Sequence, residues 1–166
     1  DYNTETPDTL TGEDAECFAA LAGSVGELEK TMMLFPPVTG SSFGGSLGSV
    51  TAGDMDGNEV TEAIFAGYDI TMVNIWTTWC GYCIEEMPYL QELYAQLPEN
   101  VNMITVCGDA LTEPELAREI LADSGAEFTT IAANDEVQSA LLNYVAGFPT
   151  TVFLDSSGAP VGGAMT

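Results

Sequence analysis

The chain has 166 residues, 46% of them hydrophobic, with 26 acidic residues against two basic ones and a formal net charge of −24. That length and apolar content suit one packed domain plus an appendage and exclude a disordered chain. The charge excludes nucleic acid, whose phosphates need clustered Lys and Arg, and argues against anionic membrane surfaces; with no histidine anywhere, Ser-His-Asp and Cys-His catalysis and His-containing metal sites are excluded too.

Residues 1–10 are polar and contain Pro7, the composition of a frayed arm. From Thr11 to about Leu34, the residues Phe18, Leu21, Val25, Leu28 and Met32 recur at three- and four-residue steps. This predicts an amphipathic helix with Thr11 as N-cap, ended by Pro36-Pro37. The stretch 39–48 is rich in Gly and Ser, as a loop or linker is. The organisation expected is therefore an N-terminal arm and helix over 1–42 and a main domain over 43–166.

Asp56-Gly57-Asn58 separates Leu47–Ala52 from Glu59–Val60, as in a hairpin. Thr71–Thr77 (TMVNIWT) is short, apolar and β-branched, as a buried central strand should be. A helix is predicted from about Cys80 to Leu97, with Pro88 inside it as a kink. Val101–Cys107 is the next strand. Thr112, with Glu115 reaching back, predicts a helix start, and Gly125 its stop. Phe128–Ala132 is a further strand. Asn134 caps a helix carrying Val137, Leu141, Tyr144 and Val145. Thr150–Leu154 is a strand, and Ser156-Ser157-Gly158 turns the chain into a last short strand near Val161. Strands alternating with helices, then a hairpin, predict an α/β fold: a mixed central sheet flanked by helices, with an antiparallel edge.

The four cysteines are Cys17, Cys80, Cys83 and Cys107. They are too few for a disulfide scaffold, and a zinc site would need a second close pair or histidines. Cys107 ends a predicted strand and reads as a small buried core residue, with a Cys17–Cys107 disulfide as the alternative in an oxidising compartment. The informative motif is Trp79-Cys80-Gly81-Tyr82-Cys83. The strand before it delivers Cys80 to the first turn of a helix, where free amides and the helix dipole stabilise a thiolate. A three-residue step puts both sulfurs on one face, close enough to bond. The pair can then exchange disulfides in two steps, Cys80 attacking a client and Cys83 resolving the mixed disulfide. Gly81 is expected to keep the turn permissive and Trp79 to wall the nucleophile.

The stretch VNIWTTWCGYCIEEMPYLQEL resembles the active-site segment of the TlpA/ResA-like branch of the thioredoxin superfamily. The resemblance runs from about Val50 to Gly163, includes Gly147-Phe148-Pro149-Thr150-Thr151, and does not cover residues 1–40. It implies a thioredoxin-like fold and an exported thiol–disulfide oxidoreductase that reduces disulfide-bearing exported proteins. Electrons would come from a membrane thiol donor, with no metal or organic cofactor. It makes Pro149 a cis-proline whose peptide presents the Phe148 backbone to a client, with Trp79 and Tyr82 beside the docking site. Where thioredoxins carry a buried Asp six residues before the attacking Cys, this chain has Asn74. The branch often carries a Glu three residues after the second Cys, here Glu86, which the resemblance assigns to proton transfer during resolution. A partly buried carboxylate with a raised pKa suits that task.

Two departures stand out. The Gly-Tyr pair between the cysteines resembles that of periplasmic disulfide isomerases, so an oxidase or isomerase acting at the same site is the alternative. The branch usually closes its sheet with a helix after the last strand, and none is visible before Thr166. Because the first residue is Asp1, the chain reads as one whose export signal has been removed, tethered upstream by a lipid or a helix. A thiol peroxidase would need a proline at Val73 and an arginine at the site, whereas Arg118 falls on a predicted surface helix. A non-catalytic client-binding or metallochaperone module is the rival from another class.

Overall fold

The computed structural model describes residues 43–166, so the N-terminal arm, its predicted helix and Cys17 lie outside the described residues. In chain order the elements are β1 (Ala52–Asp54), β2 (Glu59–Val60), a 3-10 turn (Glu62–Ile64), β3 (Ile70–Trp76), α1 (Gly81–Tyr94), β4 (Val101–Cys107), α2 (Pro114–Asp123), β5 (Thr129–Ala132), α3 (Asp135–Ala140), a second 3-10 turn (Leu142–Tyr144) and β6 (Thr150–Asp155).

Six strands form one sheet in the order β2-β1-β5-β4-β3-β6. β3, β4 and β5 run parallel, while β1, β2 and β6 pair antiparallel at the two edges. Parallel neighbours need crossovers, which α1 and α2 supply. This is the mixed sheet flanked by helices that the sequence pattern predicts.

Side chains alternate across the long strands and so divide the core in two. Val73, Ile75, Ile104 and Val106 face one way and pack with Phe43, Leu47, Val137 and Leu141. Trp76, Met103 and Cys107 face the other way, against Cys83, Met87 and Leu90 of α1 and Ala117 and Ile120 of α2. A fully buried side chain of this kind contributes about 1.5–3 kcal/mol. On the α1 face Trp76, Thr105 and Thr130 pair their polar groups across strands. The Trp76 Nε1–H donates to Thr105 Oγ1 at 3.2 Å, and Thr105 and Thr130 hydroxyls share a hydrogen bond of 2.8 Å.

Four sequence expectations need correcting. Helix α2 begins one turn position later than the Thr112 box implies. The Thr112 hydroxyl donates to the Asp109 carbonyl (2.9 Å), and Glu113 holds the capping position without a side-chain cap bond. Pro114 sets the start, because it needs no N–H partner and its φ is already helical. The predicted helix after Asn134 is interrupted at Leu141 (φ −128°), and its second half tightens into the 3-10 turn. Leu47–Ala52 is mostly not strand: Leu47 and Val50 are buried in the core and β1 begins only at Ala52. Near Val161 there is no strand but two isolated bridges, Leu154 to Pro160 and Thr151 to Met165: the Val161 N–H still donates to the Phe153 carbonyl at 2.8 Å, and the register slips past Gly162, whose φ is +84°. The turn before them needs its glycine. Gly158 has φ +75°, and a Cβ there would lie 2.6 Å from the Gly48 nitrogen.

Candidate active site

The strand β3 ends buried at Trp76, and Thr77 and Thr78 stay buried. The chain surfaces at Trp79, which is 71% exposed, and the next residue caps α1. Cys80 has extended backbone (φ −87°, ψ 100°), and its Sγ accepts from the Cys83 N–H at 3.2 Å. Cys80 and Cys83 are joined as a disulfide with Cα atoms 5.3 Å apart. Cys80 is 6% exposed and Cys83 0%. A client can therefore reach Cys80 and not Cys83. After reduction, the N–H already aimed at Cys80 and the helix end behind it would stabilise a thiolate there. The permissiveness expected of Gly81 is not used, because a Cβ at Gly81 meets nothing within 4 Å.

Glu86 follows Cys83 by three residues, on the same side of α1, and is half-buried. Asn74 lies on the α1 face of β3 with Thr151 of β6 opposite it in register. The Asn74 amide donates to Glu86 Oε1 at 2.9 Å and to Thr151 Oγ1 at 3.3 Å. Asn74 is 1% exposed and its Oδ1 has no hydrogen-bond partner. The position that carries a buried acid in thioredoxins thus carries a neutral donor that grips an acid on the helix.

One residue that the sequence reading did not single out belongs to the site. Asp109, two residues past β4, accepts from the Thr78 N–H (2.9 Å), the Thr78 hydroxyl (2.6 Å) and the Cys107 thiol (3.3 Å). It ties the loop that carries Cys80 to the end of the neighbouring parallel strand. The signal available was its place just past the carboxyl end of a central parallel strand, where α/β sheets carry their sites. Among the described residues Cys107 has no disulfide partner, and it is fully buried. Burial first, then the Asp109 hydrogen bond, push its pKa up to about 12. It packs in the core on the α1 face of the sheet; its pairing with Cys17 lies outside the described residues.

Trp79 meets Phe148 edge to face, with ring centroids 5.7 Å apart. The peptide between Phe148 and Pro149 is cis. Phe148 is partly buried against both halves of the core, and the Thr150 hydroxyl closes the loop onto the Gly147 carbonyl at 2.7 Å. Tyr82 is 79% exposed and pairs with neither ring. The structure thus brings Trp79 and Phe148 together beside Cys80 and leaves Tyr82 in solvent. Arg118 sits on α2, where its Nε donates to the Met55 carbonyl at 3.3 Å.

Residues 33–160 match the Redoxin family. The chain is 33% identical over 101 residues to the thiol:disulfide interchange protein DsbE homolog of Paracoccus denitrificans, covering 60% of this chain and 52% of that protein. It is 31% identical over 127 residues to the thiol-disulfide oxidoreductase ResA of Geobacillus kaustophilus, covering 75% and 70%. The chain thus spans between about half and seven-tenths of the length of these two relatives. In fold it is similar to the thioredoxin domain of a thiol-disulfide oxidoreductase from Bacteroides vulgatus (TM-score 0.61, 22% identity, 74% of this chain and 88% of that one). It is also similar to a DsbF homologue from Corynebacterium diphtheriae (TM-score 0.59, 22% identity, 74% and 76%). With a thioredoxin-like sheet, a helix-capping Cys80 bonded to Cys83, and a family match over most of its length, the chain belongs to the redoxin family of the thioredoxin superfamily, related to ResA- and DsbE-type thiol–disulfide oxidoreductases.

Proposed function

We propose that this protein works outside the cytoplasm as a dithiol–disulfide oxidoreductase, reducing disulfides of exported proteins through Cys80 and Cys83. The observation that carries the reading is the asymmetry of the pair: Cys80 caps the helix and touches solvent, while Cys83 is sealed. The Cys80 thiolate attacks a client disulfide, forming a Cys80–client bond and releasing one client thiolate. The Cys83 thiolate then attacks Cys80 Sγ, forming Cys80–Cys83 and releasing the second client thiolate. Two electrons pass to the client, and the two protons lost by the enzyme thiols end on the client thiols. A membrane thiol donor of the same chemistry resets the pair. Glu86 receives the Cys83 proton during resolution, held by Asn74. Trp79, Tyr82, Phe148 and Pro149 form the face a client meets. A lipid or helical membrane tether would keep the domain beside that thiol donor.

Cys80→Ser should abolish reduction of a protein disulfide, and Cys83→Ala should accumulate a mixed disulfide; normal turnover in the first variant refutes the assignment of nucleophile. The direction is read from the potential of the pair in thiol buffers. A value of about −270 mV supports a reductase, whereas one of about −120 to −180 mV assigns the same site to oxidation or isomerisation. The Gly81-Tyr82 dipeptide favours that second reading.

A further inference from the structure

Beside the disulfide an open groove of about 490 Å³ runs between the loop carrying Cys80 and the start of α2, lined by Thr78, Trp79, Asp109, Thr112, Glu113 and Leu116. Its rims are apolar and uncovered, with Trp79 71% and Leu116 40% exposed. Its charges are both negative. The donors to Asp109 are neutral, a backbone N–H, a hydroxyl and a thiol, so its charge is solvated but not neutralised. Glu113 is exposed and makes no capping bond. Among the described residues the one basic side chain, Arg118, is turned to the Met55 carbonyl and lines a different cleft with Asp56 and Phe128. The domain therefore brings no cation of its own to this groove.

We infer that the groove docks a client segment carrying Lys or Arg within a few residues of its disulfide. This rests on the reading that Cys80 exchanges with a client. A segment whose sulfur reaches Cys80 passes along Trp79. There the aliphatic stem of a long basic side chain lies against Trp79 and Leu116, and its charged end reaches Asp109 and Glu113. A client carboxylate in the same place would meet those two acids, with Glu85 and Glu86 on α1 adding to the field. A second copy of this chain is a poor occupant, because each carries a net charge of −24.

The test uses the full chain, reduced, and three disulfide-bonded peptides that differ only in Lys, Gln or Glu flanking the cysteines. The order of reduction rates should be Lys, Gln, Glu, with the Lys peptide about tenfold faster than the Glu peptide at about 0.02 M salt and about twofold faster at about 0.5 M. Glu113→Lys should remove the preference. Glu59→Lys, which makes the same change in net charge on the exposed edge strand β2, should retain it. Equal rates for the three peptides overturn the inference and leave the redox function standing. A preference that survives Glu113→Lys, or is lost equally in Glu59→Lys, overturns the groove as its source. Failure to reduce any peptide overturns the functional reading and this inference together.

Discussion

Asp109→Ala is the substitution whose cost can be worked most directly from the structure. The carboxylate accepts from the buried Thr78 N–H at 2.9 Å, the Thr78 hydroxyl at 2.6 Å and the Cys107 thiol at 3.3 Å. A hydrogen bond to a charged group is worth about 1.5–3 kcal/mol, and a buried backbone donor left unpaired costs about 1–3 kcal/mol. These do not add, because the three donors share one acceptor and the half-buried carboxylate itself pays a desolvation cost. The expected net loss is about 2–4 kcal/mol. In thermal unfolding of the oxidised protein that is a fall of about 10 °C in Tm, and in urea a lower midpoint at unchanged slope. Asp109→Asn keeps one acceptor oxygen and turns the other position into a donor facing donors, so it should lose about half as much. The Cys80 loop is the segment that loosens, so alkylation of reduced Cys80 should change in parallel. A Tm within about 1 °C of the parent for Asp109→Ala would refute the tie between loop and strand.

Asn74→Ala should slow the resolution step seen after mixed-disulfide formation and leave the first attack nearly unchanged. In a Glu86→Gln background it should add little, and additive effects in that double-mutant cycle would separate the two residues. Cys107 has its pKa raised to about 12 by burial and by Asp109. Its contribution to stability is thus complete below the unfolded thiol value of about 9 and is lost as pH rises towards about 12. Cys107→Ala should flatten the alkaline limb of a pH–stability curve, and native Cys107 should resist alkylation at pH 8. Gly81→Ala has room for its Cβ, so it should stabilise the protein by about 0.5 kcal/mol, measured by urea unfolding with the disulfide intact; destabilisation would show that the turn does use its glycine.

The parts of the fold that were legible in the sequence are those with a strong local signal. The apolar, β-branched runs around Val73 and Ile104 gave the two central strands to within a residue, and Gly125 (φ +67°) marked the end of α2. The redox pair was legible because its spacing and its place after a strand are themselves the chemistry. What was missed turns on hydrogen bonds and register that no hydrophobic pattern encodes. Thr112 read as a cap, yet the turn at Asp109 takes its hydroxyl and Pro114 starts the helix. Val161 read as a strand, yet its pairing with β6 stays an isolated bridge because the register slips past Gly162 (φ +84°). Asp109 was invisible as a site residue because its main partner, Thr78, lies in the turn after β3, which only the parallel register of β3 and β4 brings beside it.

That register also bears on reactivity. Asn74 and Trp76 point to the α1 side of β3, and the loop that follows carries Cys80 out beneath Trp79. The two acids held by the scaffold at this end, Glu86 and Asp109, are both fixed by neutral donors. Neither is neutralised by a cation, so their field opposes thiolate formation at Cys80, and the N–H of Cys83 with its helix end must work against it. A cationic client docked beside Trp79 would offset part of that field while it is bound. Docking and reactivity would then be coupled, and the advantage of a Lys-flanked peptide should persist at saturating concentration, as a faster chemical step. An advantage confined to the dilute regime would mean that charge only steers the encounter, and that the acids around Cys80 have no hold on its thiolate.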